Sequence, residues 1–400
     1  MSAIEVAMFA GISVLSGDPL YEVAARYVAD LRPQRIDLGV GVYRDGSGRA
    51  PVMKAVKRAE RCLVDRQETK AYRPLLGDPA FLRTMNDLVL GADCPALAEH
   101  RIVAIQTVGG TGALRLAAAL AGSASTEPRI HLGAPTWPSH AGVFAAESVV
   151  AVEHAYWERG ANAPLVDQIL IAARNSSPND LFLFHGPCHN PTGVDLSMAE
   201  RREALAILQR TGAVPMLDIA YYGLGSGIDD DLEIARDMVA RSQRAMIALS
   251  CSKAFGLYRE RVGALFVLCA DAGEAVRVRD KLGRLSRLMV STPPAHGAEA
   301  VAMILDNPDL TQAWRDELAG MRDRIIRLRA RLAASGLSVL ASLGDERGIF
   351  AMLPLNPAQV HRLMLDHAIH LPASGRANLV GMRDDDIPHF LAALEAVGCR

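Results

Sequence analysis

Leu249-Ser250-Cys251-Ser252-Lys253-Ala254-Phe255-Gly256-Leu257-Tyr258 continues an apolar run that starts at Ala245, and Arg261 stands eight residues beyond the lysine. A short, uninterrupted apolar run reads as a strand buried on both faces, and such strands belong to parallel sheets covered by helices. The lysine then leaves the end of that strand, at the edge where open α/β sheets bind ligands. Partial desolvation between small hydroxyl residues is expected to lower its ammonium pKa and leave an amine able to capture a carbonyl. Ser250, Ser252 and Arg261 are donor types that a phosphate needs, the arginine in a planar, bidentate way. Most lysines at strand ends are merely solvated, so the reading depends on what the rest of the chain supplies.

Outward from this stretch, apolar runs at residues 102–106, 129–132, 181–184, 214–218, 246–250 and 264–268 alternate with helical patterns. That alternation predicts an α/β fold with a mostly parallel central sheet. Gly110-Thr111-Gly112-Ala113-Leu114-Arg115 opens an alanine-rich helix ending near Gly122, and a glycine turn entering a helix offers free N–H groups to an anion. Residues 309–335 carry Trp314, Leu318, Met321, Ile325, Leu328 and Leu332 at helical spacing. Beyond them the pattern becomes α+β, with an apolar run at 348–353, a helix at 359–367 and a last helix after Pro388. Asp384-Asp385-Asp386 read as acids complementing that helix's dipole. The expected division is a large domain over 50–310 and a smaller one built from 1–49 and 311–400.

The 400 residues favour two domains, and half of them are hydrophobic with a formal net charge of −2. No charge bias points to nucleic acid or membrane. Met1 to Val14 lacks a basic leader region, and no apolar run approaches the roughly 20 residues of a membrane span. Cys62, Cys94, Cys188, Cys251, Cys269 and Cys399 form no CxxC pair, which predicts reduced thiols in a cytoplasmic protein. Cys188-His189 has no second ligand cluster at coordination spacing, so no metal is expected.

Further residues gather chemistry. Asp218 ends the strand Val214-Pro215-Met216-Leu217-Asp218 and precedes Ile219-Ala220-Tyr221. Opposite a pyridine nitrogen it would keep that nitrogen protonated; the plain alternative is a helix cap. Asn190, within His189-Asn190-Pro191-Thr192-Gly193, is either a turn residue or an amide donor to a phenolic oxygen. Trp137, between Pro135 and Pro138, suits stacking on a flat ring, or is core. Arg287 and Arg376 would not stand out by spacing among the other arginines. A lysine capturing an aldehyde beside a phosphate cup points to pyridoxal 5′-phosphate.

These segments together resemble the class I aminotransferases, in the aspartate and aromatic (tyrosine) amino acid branch of fold-type I pyridoxal phosphate enzymes. The matching stretches run from Gly17-Asp18-Pro19 to the last helix. They include Asp37-Leu38-Gly39-Val40-Gly41-Val42-Tyr43, Gly109-Gly110-Thr111-Gly112-Ala113-Leu114, Trp137-Pro138, His189 to Gly193, Asp218 to Tyr221, Ser250 to Lys253 and Ser374-Gly375-Arg376.

The resemblance implies that Lys253 holds the cofactor covalently and moves protons, that Asp218 with His140 pairs the pyridinium, and that Tyr221 and Asn190 bond the phenolic oxygen. It implies that Trp137 stacks on the ring, and that Gly110, Thr111, Ser250, Ser252 and Arg261 hold the phosphate with Tyr72 from a second subunit. Arg376 would pair the substrate α-carboxylate with Gly41, Trp137 and Asn190 close by, and Arg287 would cross a homodimer interface to a side-chain carboxylate. The implied reaction is amino transfer between aromatic or dicarboxylic amino acids and 2-oxoglutarate by a ping-pong route. Leu288-Met289-Val290 departs from the family's polar and aromatic pattern there and leans toward aromatic side chains. A specialised biosynthetic aminotransferase, or a decarboxylase or lyase on the same fold, stays open. A cofactor-sensing DNA-binding protein finds no basic helix-turn-helix segment here, and a nicotinamide enzyme would want the full G-x-G-x-x-G spacing.

Overall fold

Seven strands pair into one sheet: β1 (Ile102–Val108), β2 (Arg129–Ala134), β3 (Val150–Ala155), β4 (Asp180–His185), β5 (Val214–Ile219), β6 (Ala245–Ser250) and β7 (Val262–Leu268). The computed structural model describes Phe9 and residues 19–158 and 163–399. Gly17 and Asp18, where the family resemblance begins, lie outside the described residues, as does Met1 to Val14 apart from Phe9. The strand order is β1-β7-β6-β5-β4-β2-β3. β7 runs antiparallel to both its neighbours, and the remaining pairs are parallel. The fold is therefore α/β with a mostly parallel sheet, as the alternation predicts.

The six expected strands are all present, lengthened by one or two residues at some ends. β3 was not anticipated. It lies at the sheet edge, half exposed, with Glu153 and His154 breaking its apolar run, so it lacks the signature of a strand buried on both faces. β6 and β7 are buried along their whole length.

The reversal of β7 positions the site. In its antiparallel pairings, Gly263 faces Ser250 at the end of β6, and Val262 faces Val108 at the end of β1. The start of β7, and Arg261 just before it, therefore share an edge with the C-terminal ends of the parallel strands. The helix Gly109–Ala124 springs from β1 at that same edge, one residue earlier than its expected start.

Pro308–Ala333 forms the long helix, with all six predicted stripe residues buried and Asn307 capping it by accepting from Leu310 N at 3.0 Å. Its Trp314 stacks on Phe255 at 4.5 Å between ring centroids and donates to Ala254 O at 2.8 Å. The loop that follows Lys253 is thereby pinned to the helix. Phe350–Met352 pairs antiparallel with Arg376–Asn378, and Ile36–Asp37 lies parallel to Ile369–His370. The N-terminal segment is thus woven into the C-terminal part of the chain. One apolar cluster runs from Ile36 through Phe255 and Trp314 to Phe390. Among the described residues no helix is long and apolar enough to cross a membrane, and no group of three His, Cys, Asp or Glu side chains is placed to hold a metal ion.

Candidate active site

A cleft opens at the C-terminal ends of β4, β5 and β6. Ten of the residues singled out in the sequence line it: Gly110, Thr111, Trp137, Asn190, Asp218, Tyr221, Ser250, Ser252, Lys253 and Arg261. Lys253 is half-buried, with Nζ 4.9 Å from the centre of the Tyr221 ring. Its ammonium is pushed down to about 8, first by loss of solvation, with Arg261 and Arg376 adding repulsion and Asp218 opposing.

Asp218 is backed by a relay of side chains. Burial raises its carboxyl, but the hydrogen bond from His140, helped by the nearby Lys253 charge, outweighs that and holds it below the usual carboxylate range. His140, fully buried, bonds Asp218 Oδ2 through Nε2 at 3.0 Å, and its Nδ1 lies 2.7 Å from Thr136 Oγ1, which is 2.8 Å from His185 Nε2. A carboxylate only accepts, so His140 donates from Nε2. With a single proton on that ring, Nδ1 accepts a hydrogen bond from the Thr136 hydroxyl, and Thr136 Oγ1 accepts from His185 Nε2. Burial also drives the His185 imidazole well below its ordinary value, which favours this neutral arrangement. Trp137 meets the edge of His140 at 5.2 Å. Thr136 and His185 were not anticipated, since neither residue type nor spacing marks a second-layer hydrogen bond.

At the other end, Arg261 donates to Ser252 Oγ at 3.3 Å and to Tyr258 O at 3.0 Å, and Ser252 N donates to Ser250 Oγ at 3.2 Å. Gly109 has φ +66°, and a Cβ there would stand 2.8 Å from Arg261 Cζ. Only glycine allows both that backbone conformation and that approach. A Cβ on Gly110 would fall 3.0 Å from Ser250 Cβ.

Arg376 is buried on the short C-terminal sheet beside the cleft. Its Nη2 donates to Gly39 O at 2.7 Å, and its guanidinium lies 4.5 Å over the Phe350 ring. The same ring meets Tyr221 edge-on at 6.0 Å, and a Cβ on Gly41 would come 2.9 Å from Phe350 Cζ. Phe350 therefore joins three predicted residues, and sequence reasoning missed it because one more apolar residue in an apolar run carries no mark. Tyr72 and Arg287 are not brought to this cleft. Tyr72 is 91% exposed, and Arg287 is exposed on the last turn of the helix Ala272–Val290.

Residues 33–394 match the family model of aminotransferase class I and II. The chain is 41% identical to a tyrosine aminotransferase of Rhizobium meliloti over 379 residues, covering 94% of this chain and 96% of that protein. It is 35% identical to an aspartate aminotransferase of Escherichia coli over 98% of this chain and all of that one. A crystal structure of the aromatic-amino-acid aminotransferase of Burkholderia pseudomallei, covalently bound to pyridoxal phosphate, superposes with a TM-score of 0.94 at 33% identity, covering 98% of this chain and 99% of that chain.

The chain belongs to the class I and II aminotransferases. Within them it is a fold-type I, pyridoxal phosphate-dependent enzyme of the branch that holds the aspartate and aromatic amino acid aminotransferases.

The cleft suits that cofactor on its own geometry. Asn190 is buried and its side-chain oxygen has no hydrogen-bond partner among the described residues; turned over, the amide presents N–H at the same point. The glycine cradle with two serines and an arginine is the donor set of a phosphate. Burial raises the Tyr221 phenol, with Arg376 opposing, so the hydroxyl keeps its proton to donate.

Proposed function

We propose that this enzyme moves an amino group between aromatic or dicarboxylic L-amino acids and 2-oxoglutarate by a ping-pong route, as a cytoplasmic homodimer whose clefts borrow Tyr72 and Arg287 from the neighbouring protomer. The reading is carried by Lys253, an amine pushed down to about 8 within the fields of both the Asp218 carboxylate and the Arg376 guanidinium. Bound at Lys253, pyridoxal phosphate supplies an electron sink for the bond broken at the substrate Cα. Asp218, kept charged by His140, holds the proton on the pyridine nitrogen. Asn190 and Tyr221 donate to the phenolic oxygen, and Trp137 covers the ring.

Gly110, Thr111, Ser250, Ser252 and Arg261 take the phosphate, joined by Tyr72 of the second protomer. Arg376 orients the substrate by its α-carboxylate, with Gly41 leaving room and Trp137 and Asn190 alongside. Once freed from the cofactor by the incoming substrate amine, Lys253 would carry the proton taken from the substrate Cα, work suited to a base titrating near ambient pH.

Substrate breadth follows from the neighbours of Arg287. The arginine offers a bidentate partner to a side-chain carboxylate, while Leu288, Met289 and Val290 are exposed apolar residues beside it. The names of the relatives, tyrosine, aromatic and aspartate aminotransferase, span the same range. Exposed Tyr72, Leu75 and Leu288 form surface that a second copy would cover, and the six free thiols suit a reducing compartment. The test is a donor-by-acceptor screen of the reconstituted enzyme, with a glutamate half-reaction that bleaches its visible absorbance and releases 2-oxoglutarate. Failure of every aromatic and dicarboxylic donor with 2-oxoglutarate refutes the assignment.

A further inference from the structure

Gln106 is 1% exposed on β1, four residues before the phosphate-cradling Gly110, and both ends of its side-chain amide are used. Oε1 accepts from Asp78 N at 2.9 Å, and Nε2 donates to Pro294 O at 2.7 Å. Its own backbone N donates to Leu76 O at 2.8 Å. One side chain thus joins the loop that bears Tyr72 to the turn that follows Arg287.

A second set of contacts ties those segments without passing through the sheet. Arg73, next to Tyr72, donates Nε to Glu299 Oε1 at 2.8 Å and lies 3.6 Å from Asp78 Oδ2. Glu299 is buried in the helix His296–Asp306, which begins two residues after Pro294, and it also accepts from Gln67 Nε2 at 3.1 Å. Gly77 has φ +107° where the loop folds against Gln106, a conformation that a side chain would strain. Tyr72 and Arg287, both exposed, therefore stand on segments locked to each other by buried and part-buried polar contacts.

We propose that Gln106 is a positioning residue that holds the Tyr72 loop and the Arg287 turn as one unit, so that both side chains reach the neighbouring protomer's cleft in register. Cofactor phosphate affinity and selectivity for dicarboxylic donors are then coupled through a residue that touches neither ligand. This rests on the reading that Tyr72 and Arg287 act in a partner's cleft.

The experiment uses the reconstituted holoenzyme of Q106M, which keeps the side-chain length and removes both amide bonds. Misplacement by a fraction of an ångström should lower kcat/KM for aspartate and glutamate about tenfold, leave phenylalanine within about twofold, and raise the pyridoxal phosphate concentration for half-saturation about tenfold. Q106E keeps the acceptor for Asp78 N and, ionised, loses the donor to Pro294. It should show the selectivity loss with the phosphate affinity held, and it decides the matter if Q106M is insoluble. Equal loss toward all donors alongside a lower Tm, or no change in selectivity in either variant, overturns the proposal. R287A and Y72F serve as controls on its premise. If R287A leaves dicarboxylate selectivity intact and Y72F leaves cofactor affinity intact, the shared-cleft reading falls and this inference with it. If both controls respond and the Gln106 variants do not, only this inference falls.

Discussion

The cleft floor and the 70–76 and 286–291 segments differ in kind. Around Asp218 and Lys253 the polar groups are buried or half-buried and closely engaged: His140, Thr136 and His185 form one hydrogen-bonded line, and Arg261 is tied to Ser252 and Tyr258. Tyr72, Leu288 and Val290 instead face outward from the chain that carries them. Apart from Tyr72, proposed to come from the neighbouring protomer, the residues proposed to hold the cofactor all line one chain's own cleft. The end that would sort donors by side chain is displayed on that chain's surface, where selectivity can vary without disturbing the buried relay.

Removing Lys253 tests the buried half most severely. On the proposed mechanism K253A takes away both the covalent anchor and the proton-transferring base, so turnover with any donor should fall by at least about 10⁴-fold, measured in single-turnover experiments with glutamate. Retention of more than a hundredth of the wild-type rate would mean that another group acts as base and that the two regions are less distinct than drawn.

R376A comes next. If Arg376 pairs the substrate α-carboxylate as proposed, its loss should cost about 2–5 kcal/mol in kcat/KM, alike for phenylalanine and aspartate. A loss confined to one donor class would move Arg376 to the sorting half and blur the contrast.

The pH dependence of the apoprotein sharpens the picture at smaller amplitude. Because burial brings the Lys253 ammonium down to about 8, its rate of capturing an aldehyde should rise with pH up to about 8 and level off above it. Between there and the ordinary lysine value of 10.5, the folded chain binds fewer protons than the unfolded one. The cost of burying the ammonium is therefore full below about 8, and this group's contribution to stability improves as pH rises through that window. Stopped-flow capture with the cofactor aldehyde, paired with thermal melts, checks both; a capture rate still climbing past pH 10 contradicts the desolvation argument.

The mildest change is on the surface. L288K places a charge on the apolar stretch beside Arg287 and should weaken self-association measurably in sedimentation, leaving the Tm of the isolated chain nearly unchanged. An unaltered association state would indicate that a second copy does not cover this stretch.

Much of this was legible without coordinates. Apolar runs with helical spacers yield a parallel sheet because buried strands must be apolar on both faces, and Lys253, Asp218 and Asn190 each follow such a run, so their place at its end could be read directly. The helical stripe of Trp314, Leu318 and Met321 was legible for the same reason. The edge strand Val150–Ala155 was not, because half-exposed strands carry no continuous apolar signal. What only the tertiary structure decided is the contact set between distant segments. The reversal of β7 brings Arg261 to Gly109, Phe350 slides beneath Arg376, Thr136 links two histidines, and Gln106 bridges residues 78 and 294. Those pairings depend on how strands and loops stack in space. Residue type and local spacing carry the periodicity of an element, and they hold no record of its neighbours across the fold.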